Sequence, residues 1–314
     1  MAEPLSTPPN AETTARTFRA VLDRLPRPLF AVLDGGHFDD LEDELADVGI
    51  SSRSLFLKGG NEDIRREGPW LVALNNRRAY DQIEELALAK PCAVFWSCPE
   101  GEQALWQHLR SINEVLIPDN RIRNNDGHSG KPIKYERVLF RHWDSNVLAP
   151  IVRLFDVRQF AYLFGPAETI FMNAVDNGGL TRVPRPEGLP TAPRGTLTIY
   201  ADQLETIEAR HEASYCQRMS KHLRDMAPHE TATMSEQELN DRVLRYEQSG
   251  NKLGLTQERS LSIWGYMMLA SGDQFEHQPK IRAFLHSGPG TPDENVETLL
   301  HQMNRLASTI NEVG

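Results

Sequence analysis

Between Leu25 and about Val175, short apolar runs alternate with amphipathic stretches. Leu29–Leu33 is followed by a helical pattern over Phe38–Asp47 that Gly49 ends, and Ser54–Leu57 comes next. Trp70–Leu74 leads into Arg78–Ala89, which Pro91 stops. Cys92–Ser97 (CAVFWS) reads as a buried strand and Gly101–Ser111 as a helix. Asn113–Ile117, Val138–Arg141, a helix over Ser145–Leu154, and Glu168–Ala174 continue the alternation. The apolar period switches repeatedly between about 2 and about 3.6 residues. Strands separated by helical stretches predict an α/β lobe whose mixed, largely parallel sheet is flanked by helices. Asn120–Pro132 (NRIRNNDGHSGKP) is polar and turn-rich, and is expected as an exposed loop.

The flanks read differently. Residues 1–20 hold Pro4, Pro8 and Pro9 among small polar residues, a composition expected to form a mobile leader because it buries too little to offset its ordering entropy. Asp176–Gly195 carries Pro184, Pro186, Pro190 and Pro193 among four glycines. It is expected to extend neither helix nor sheet, and so to be the linker. The expected organisation is a leader over 1–20, an α/β domain over 21–176, a linker over 177–196 and an all-helical lobe over 197–314. In that lobe, Ala201–Met226 places Leu204, Ile207, His211, Tyr215, Met219, His222 and Met226 at helical spacing along one side. Ser235-x-x-Glu238 and Thr291-Pro292-x-Glu294 are capping-box patterns that start two more helices, and Thr256–Leu269 and Pro279–His286 complete the set.

Composition narrows the function classes. The 314 residues carry 34 Lys and Arg against 44 Asp and Glu, a net charge of −10, which disfavours nucleic acid or an anionic membrane as the main partner. Three cysteines, Cys92, Cys98 and Cys216, are too few and too scattered for a disulfide framework or a four-ligand zinc site, and fit a reducing cytoplasm. Neither an apolar signal-peptide region nor a long apolar span occurs, so export by a signal peptide and membrane insertion are not expected.

Candidate chemistry is sparse. Asn125–Pro132 ends in Gly130-Lys131 but puts Asn125 where a phosphate loop needs its first glycine, and Pro132 where it needs the hydroxyl that holds magnesium. Asp34-Gly35-Gly36-His37 brings an acid to the end of a strand before a tight turn, where α/β enzymes place chemistry. Asp34 can equally bond the backbone N–H groups of that turn. From Asp34 to Asp47 there are seven acids and no base, either a solvated face or a docking face for a basic partner. His211 and His222 lie about three helical turns apart, too far for one metal. Cys92 and Cys98 bracket a strand at even spacing and are expected on one side of it as buried thiols. No cofactor or metal is expected.

Six stretches, in order, resemble one family: Leu29-Phe30-Ala31-Val32-Leu33-Asp34-Gly35; Arg53-Ser54-Leu55-Phe56; Gly68-Pro69-Trp70-Leu71-Val72; Leu105-Trp106-x-x-Leu109-Arg110; Val138-Leu139-Phe140-Arg141-x-Trp143-Asp144-x-x-Val147-Leu148; and Phe164-Gly165-Pro166. Together they are similar to the effector-chaperone (adaptor) domain of bacterial type VI secretion, over about residues 28–175. The resemblance implies a cytosolic, non-enzymatic protein that holds a toxic effector and loads it onto the spike protein VgrG. Trp143 departs from the aromatic usual before the aspartate in that family.

Two classes of function therefore stand. In the first, an adaptor binds its cargo through surfaces for which Tyr215, Met219, His222 and Trp143 are the candidates, while Asp34, Arg110, Arg141 and Asp144 form the structural motif. Arg110 and Arg141 either contact cargo or pair with acids of their own lobe, Asp144 caps the helix after it, and the Tyr215 stripe either meets a partner or packs on a neighbouring helix. In the second, Asp34 with a histidine is a hydrolase or transferase centre.

Overall fold

The computed structural model describes residues 11–56, 61–122, 125, 132–192 and 194–313, and divides into two units at Glu208/Ala209. Among the described residues of the first unit, nine strands fall into two sheets. The larger takes β1 (Leu29–Asp34), β2 (Ser52–Ser54), β3 (Pro69–Ala73), β4 (Ala93–Ser97), β7 (Thr169–Ala174) and β8 (Gly179–Pro184) in the order β2-β3-β1-β4-β7-β8. The smaller takes β5 (Glu114–Pro118), β6 (Tyr135–Leu139) and β9 (Leu197–Thr198) in the order β6-β5-β9.

Every neighbouring pair of the larger sheet is antiparallel, with Val32 opposite Leu71 on one side and Val94 on the other, and Phe95 opposite Phe171. The small sheet has one parallel pair, β5 with β9. The expected largely parallel sheet is thus corrected to a mostly antiparallel one. The crossovers themselves do exist. α2 (Leu41–Asp47) leads from β1 to β2, and α4 (Arg77–Ala89) leads from β3 to β4. Each joins strands of the same direction, but one antiparallel strand lies between them: β3 within the first pair and β1 within the second. α3 (Glu62–Arg66) has five residues, about 7.5 Å of helix, too short to carry the chain back along the sheet, so β3 returns beside β2 in the opposite sense.

Both faces of the larger sheet are covered, which explains the unbroken apolar runs. Phe30, Val32, Leu71, Val94, Trp96 and Ile170 point into one core, under α5 (Glu102–Ser111), α6 (Ser145–Val152) and α7 (Val157–Phe164). Leu29, Ala31, Leu33, Trp70, Val72 and Phe95 point into the other, under α1 (Ala11–Asp23), α2 and α4. Such runs are usual in parallel sheets, yet what produces them is burial on both faces, whatever the strand direction.

Three further expectations change. The leader does not extend to residue 20: Ala11–Asp23 is helical and fully buries Phe18 and Leu22, while residues 1–10 lie outside the described residues. Asp176–Gly195 is not a linker, because Gly179–Pro184 is β8, an edge strand where Pro184 costs no ladder bond; Pro193 lies outside the described residues. The division falls instead within α8 (Ala201–Met226), whose Leu204 and Ile207 pack on the first unit's core. Cys92 and Cys98 join opposite cores, because both lie outside β4 and its alternation does not bind them. Most of the Asn120–Pro132 loop lies outside the described residues.

The second unit is helical, as expected. After α8 come α9 (Pro228–Thr231), α10 (Glu236–Lys252), α11 (Glu258–Ala270), α12 (Pro279–Ser287) and α13 (Pro292–Val313), around a core that includes Leu223, Leu239, Val243, Trp264 and Met267. Ser235 Oγ accepts the Glu238 N–H at 3.1 Å, and Thr291 and Glu294 cap each other reciprocally at 2.7 and 3.3 Å.

Candidate functional site

β1 ends by delivering Asp34 into the turn that precedes α2. Its carboxylate is almost wholly buried: Oδ1 accepts the Gly36 N–H at 3.2 Å and Oδ2 accepts Arg141 at 2.6 Å, with His37 Nε2 at 4.0 Å. Gly35 bonds the Gly68 carbonyl at 2.9 Å, and a Cβ there would collide with the Arg66 carbonyl, so the turn closes only with glycine. Arg141 also lies 3.4 Å from Asp144, the N-cap of α6, whose Oδ1 accepts the Asn146 and Val147 N–H groups. One guanidinium therefore fastens the end of β1 to the start of α6. Of the alternatives open for Arg141, pairing with acids of its own unit is the one observed, and both oxygens of Asp34 are engaged in holding the fold.

Next to this latch, His142 is fully buried, 3.0 Å from Asn113 Oδ1 and edge-on to Trp143, Phe140 and Trp96. Burial, with His108 adding a smaller push, drives its imidazole down to about 3, so it is neutral at pH 7. Trp143 is 2% exposed and packs edge-on against Phe56. As a partner-binding candidate it is corrected: its indole is core, not surface.

The α8 stripe is corrected in part too. Tyr215 and Met219 are buried in the second unit's core, whereas His222 is exposed. From residue 209 on, the buried positions of α8 are Tyr215, Cys216, Met219, Ser220 and Leu223, a line that leaves His211, His222 and Met226 outside. The intramolecular alternative is the one observed. All three cysteines are buried free thiols, and burial pushes Cys92 up to about 12.

A different group of side chains builds a pocket. Glu42 on α2, Arg53 on β2, Phe56 just beyond it, Arg65 on α3, Trp70 on β3 and Trp106 on α5 line a cavity of about 440 Å³. The Arg53 guanidinium lies 3.5 Å from the centre of the Trp106 ring, Arg110 lies 4.2 Å from the same ring, and Arg65 is 4.8 Å from that of Trp70. Trp106 is held in place because its indole N–H donates to the Ser54 carbonyl at 2.9 Å. That carbonyl belongs to the edge strand β2, so Trp106 also covers the sheet's open edge. Arg65 pairs with Glu42 at 3.0 Å, while Arg53 donates to the neutral Gln103 at 2.7 Å. Among the described residues neither Arg53 nor Arg110 has an acidic partner, so Arg110 stacks on Trp106 rather than pairing with an acid. Arg53, Phe56, Trp70, Trp106 and Arg110 stand in the stretches quoted above, but composition and spacing give no sign that they meet. Glu42 belongs to the acidic run from Asp34 to Asp47, and Arg65 and Gln103 carry no sequence signal at all.

A second cleft of about 500 Å³ at the start of α4 is lined partly by Asp23 and Tyr80, which satisfy each other through a 2.6 Å hydrogen bond. Among the described residues no three His, Cys, Asp or Glu side chains group to hold a metal ion, and no helix is long and apolar enough to cross a membrane. Residues 29–162 match the model of a family described as a domain of unknown function (DUF4123), a match confined to the first unit. No curated protein and no solved structure matches the chain.

Proposed function

We propose that this protein is a cytosolic, non-enzymatic adaptor that binds a toxic effector of type VI secretion and loads it onto the VgrG spike. The observation that carries this reading is a convergence. Three of the separate stretches by which the chain resembles effector adaptors, those around Arg53, Trp70 and Trp106, meet in one pocket inside the matched region. Two arginines and two tryptophans are among its walls, the residue types that most often dominate the energy of protein–protein contacts. Asp34, the residue an enzymatic reading needs, has its oxygens committed to Gly36 and Arg141, which supports a positioning role for it instead.

The test is co-expression with the proteins encoded on either side of this one. An adaptor raises the soluble yield of the neighbouring effector, copurifies with it and brings VgrG into the same complex. If effector yield is unchanged and neither protein copurifies, the adaptor reading is overturned.

A further inference from the structure

We infer that the Arg53–Arg65–Trp106 pocket is a carboxylate-recognition site that takes an acidic side chain, flanked by apolar residues, from a partner protein; only the partner's identity rests on the adaptor reading. Among the described residues that line the pocket there are two guanidiniums, Arg53 and Arg65, against one carboxylate, Glu42, and a third guanidinium, Arg110, lies 4.2 Å from the Trp106 ring, in a chain whose net charge is −10. This local inversion of sign selects an anion.

The geometry narrows the anion further. A guanidinium carries five N–H donors in a planar fork that matches a carboxylate. Arg53 spends one on Gln103, its guanidinium carbon lies 3.5 Å from the centre of the Trp106 ring, and among the described residues no carboxylate takes its other donors. Arg65 has its terminal nitrogen on Glu42 and its Nε is buried, so it adds positive charge to the wall while Arg53 supplies the donors for the ligand. The remaining walls, Phe56, Trp70 and Trp106, are aromatic and suit the apolar neighbours of an acidic residue. About 440 Å³ is within the usual range for a small-ligand cavity and far short of a groove for a polyanion, which the chain's overall charge would also repel. Strand addition at β2 is blocked, because Trp106 already occupies the Ser54 carbonyl on that edge. The partner therefore enters by side-chain insertion.

Calorimetric titration of the full chain with the peptide acetyl-Leu-Asp-Leu-Glu-Leu-amide, its Asn/Gln counterpart and inorganic phosphate reads this directly. The acidic peptide is expected to bind, the amide counterpart to bind at least about tenfold more weakly, and Arg53→Gln to lose about tenfold for the acidic peptide alone. Absence of binding by the acidic peptide, equal binding of both peptides, or phosphate binding as tightly as the acidic peptide overturns the proposal. Should Arg53→Gln not fold, Arg53→Lys, which keeps the charge and loses the fork, is expected to melt normally and still bind the acidic peptide more weakly than the parent; unchanged affinity overturns the proposal. In the co-expression assay, an effector that copurifies equally with the parent and with Arg53→Glu overturns the pocket as the cargo site and leaves the adaptor reading standing. An effector that fails to copurify even with the parent chain counts against the adaptor reading, while discrimination between the peptides still upholds the pocket.

Discussion

A carboxylate as deeply buried as that of Asp34 is stable in its charged form only when its oxygens are met by donors, and here they are the Gly36 N–H and Arg141. Arg141 itself is about half exposed, its side chain 47% accessible, so the ion pair is partly screened and its loss costs less than that of a fully buried pair. Arg141→Met is expected to lower stability by about 2 kcal/mol, mainly by stranding Asp34. Adding Asp34→Asn should recover part of that loss, because the amide still accepts from Gly36 and no longer needs a cation. Urea denaturation of the two single variants and the double variant measures it; strictly additive losses would mean the two side chains are not coupled. His142 gives a pH dependence. Its folded value is near 3 and its unfolded value near the ordinary ~6.5, so as pH falls the unfolded chain takes the proton first. Stability from this residue is complete above about pH 6.5 and is lost progressively toward pH 3, by up to about 1.4 kcal/mol per pH unit. Between pH 6.5 and 5, before most carboxylates titrate, His142→Gln should show a distinctly flatter fall in urea midpoint than the parent chain.

At the scale of elements, helix starts are the features most directly written in the sequence, because a cap is a local bond between residues two or three apart. Asp144 before α6, Ser235 before α10 and Thr291 before α13 all accept the expected N–H groups. Ser235→Ala should cost about 1 kcal/mol, the usual value of a cap. Asp144→Ala should cost more, since it also removes a carboxylate from the Arg141 latch, and thermal melts of the two variants should rank them in that order. The helix α7 carries an equally local signal, its Asp156–Gln159 capping box, although it lies outside the expected elements. β8 and β9 had none: β8 is an edge strand that mixes glycine, proline and polar residues, and β9 is an edge strand of only two residues. The α8 stripe shows the limit of periodicity. It locates the buried Tyr215 and Met219, but the rotation that turns His222 outward is set by the helices packed against it.

For the whole molecule, the change of greatest consequence is that Asp176–Gly195 contains a strand instead of a linker. In hydrogen exchange, alternate amides across Gly179–Pro184 should be protected by their bonds to β7, while residues 187–192 exchange quickly; uniform fast exchange over both would return the segment to a linker. The sequence by itself determined where most strands and helices of the first unit lie, that the second unit is helical, and which residues cap its helices. These follow from apolar period and capping chemistry, which act between neighbours in the chain. Strand order and direction were decided only by the tertiary structure, because a run such as Leu29–Leu33 is apolar throughout when both faces are covered, whether its neighbours run with it or against it. The same holds for the pocket. Arg53, Arg65, Trp70 and Trp106 come from β2, α3, β3 and α5, and stacking and charge act through space, so they become one site only after the sheet has set those elements side by side.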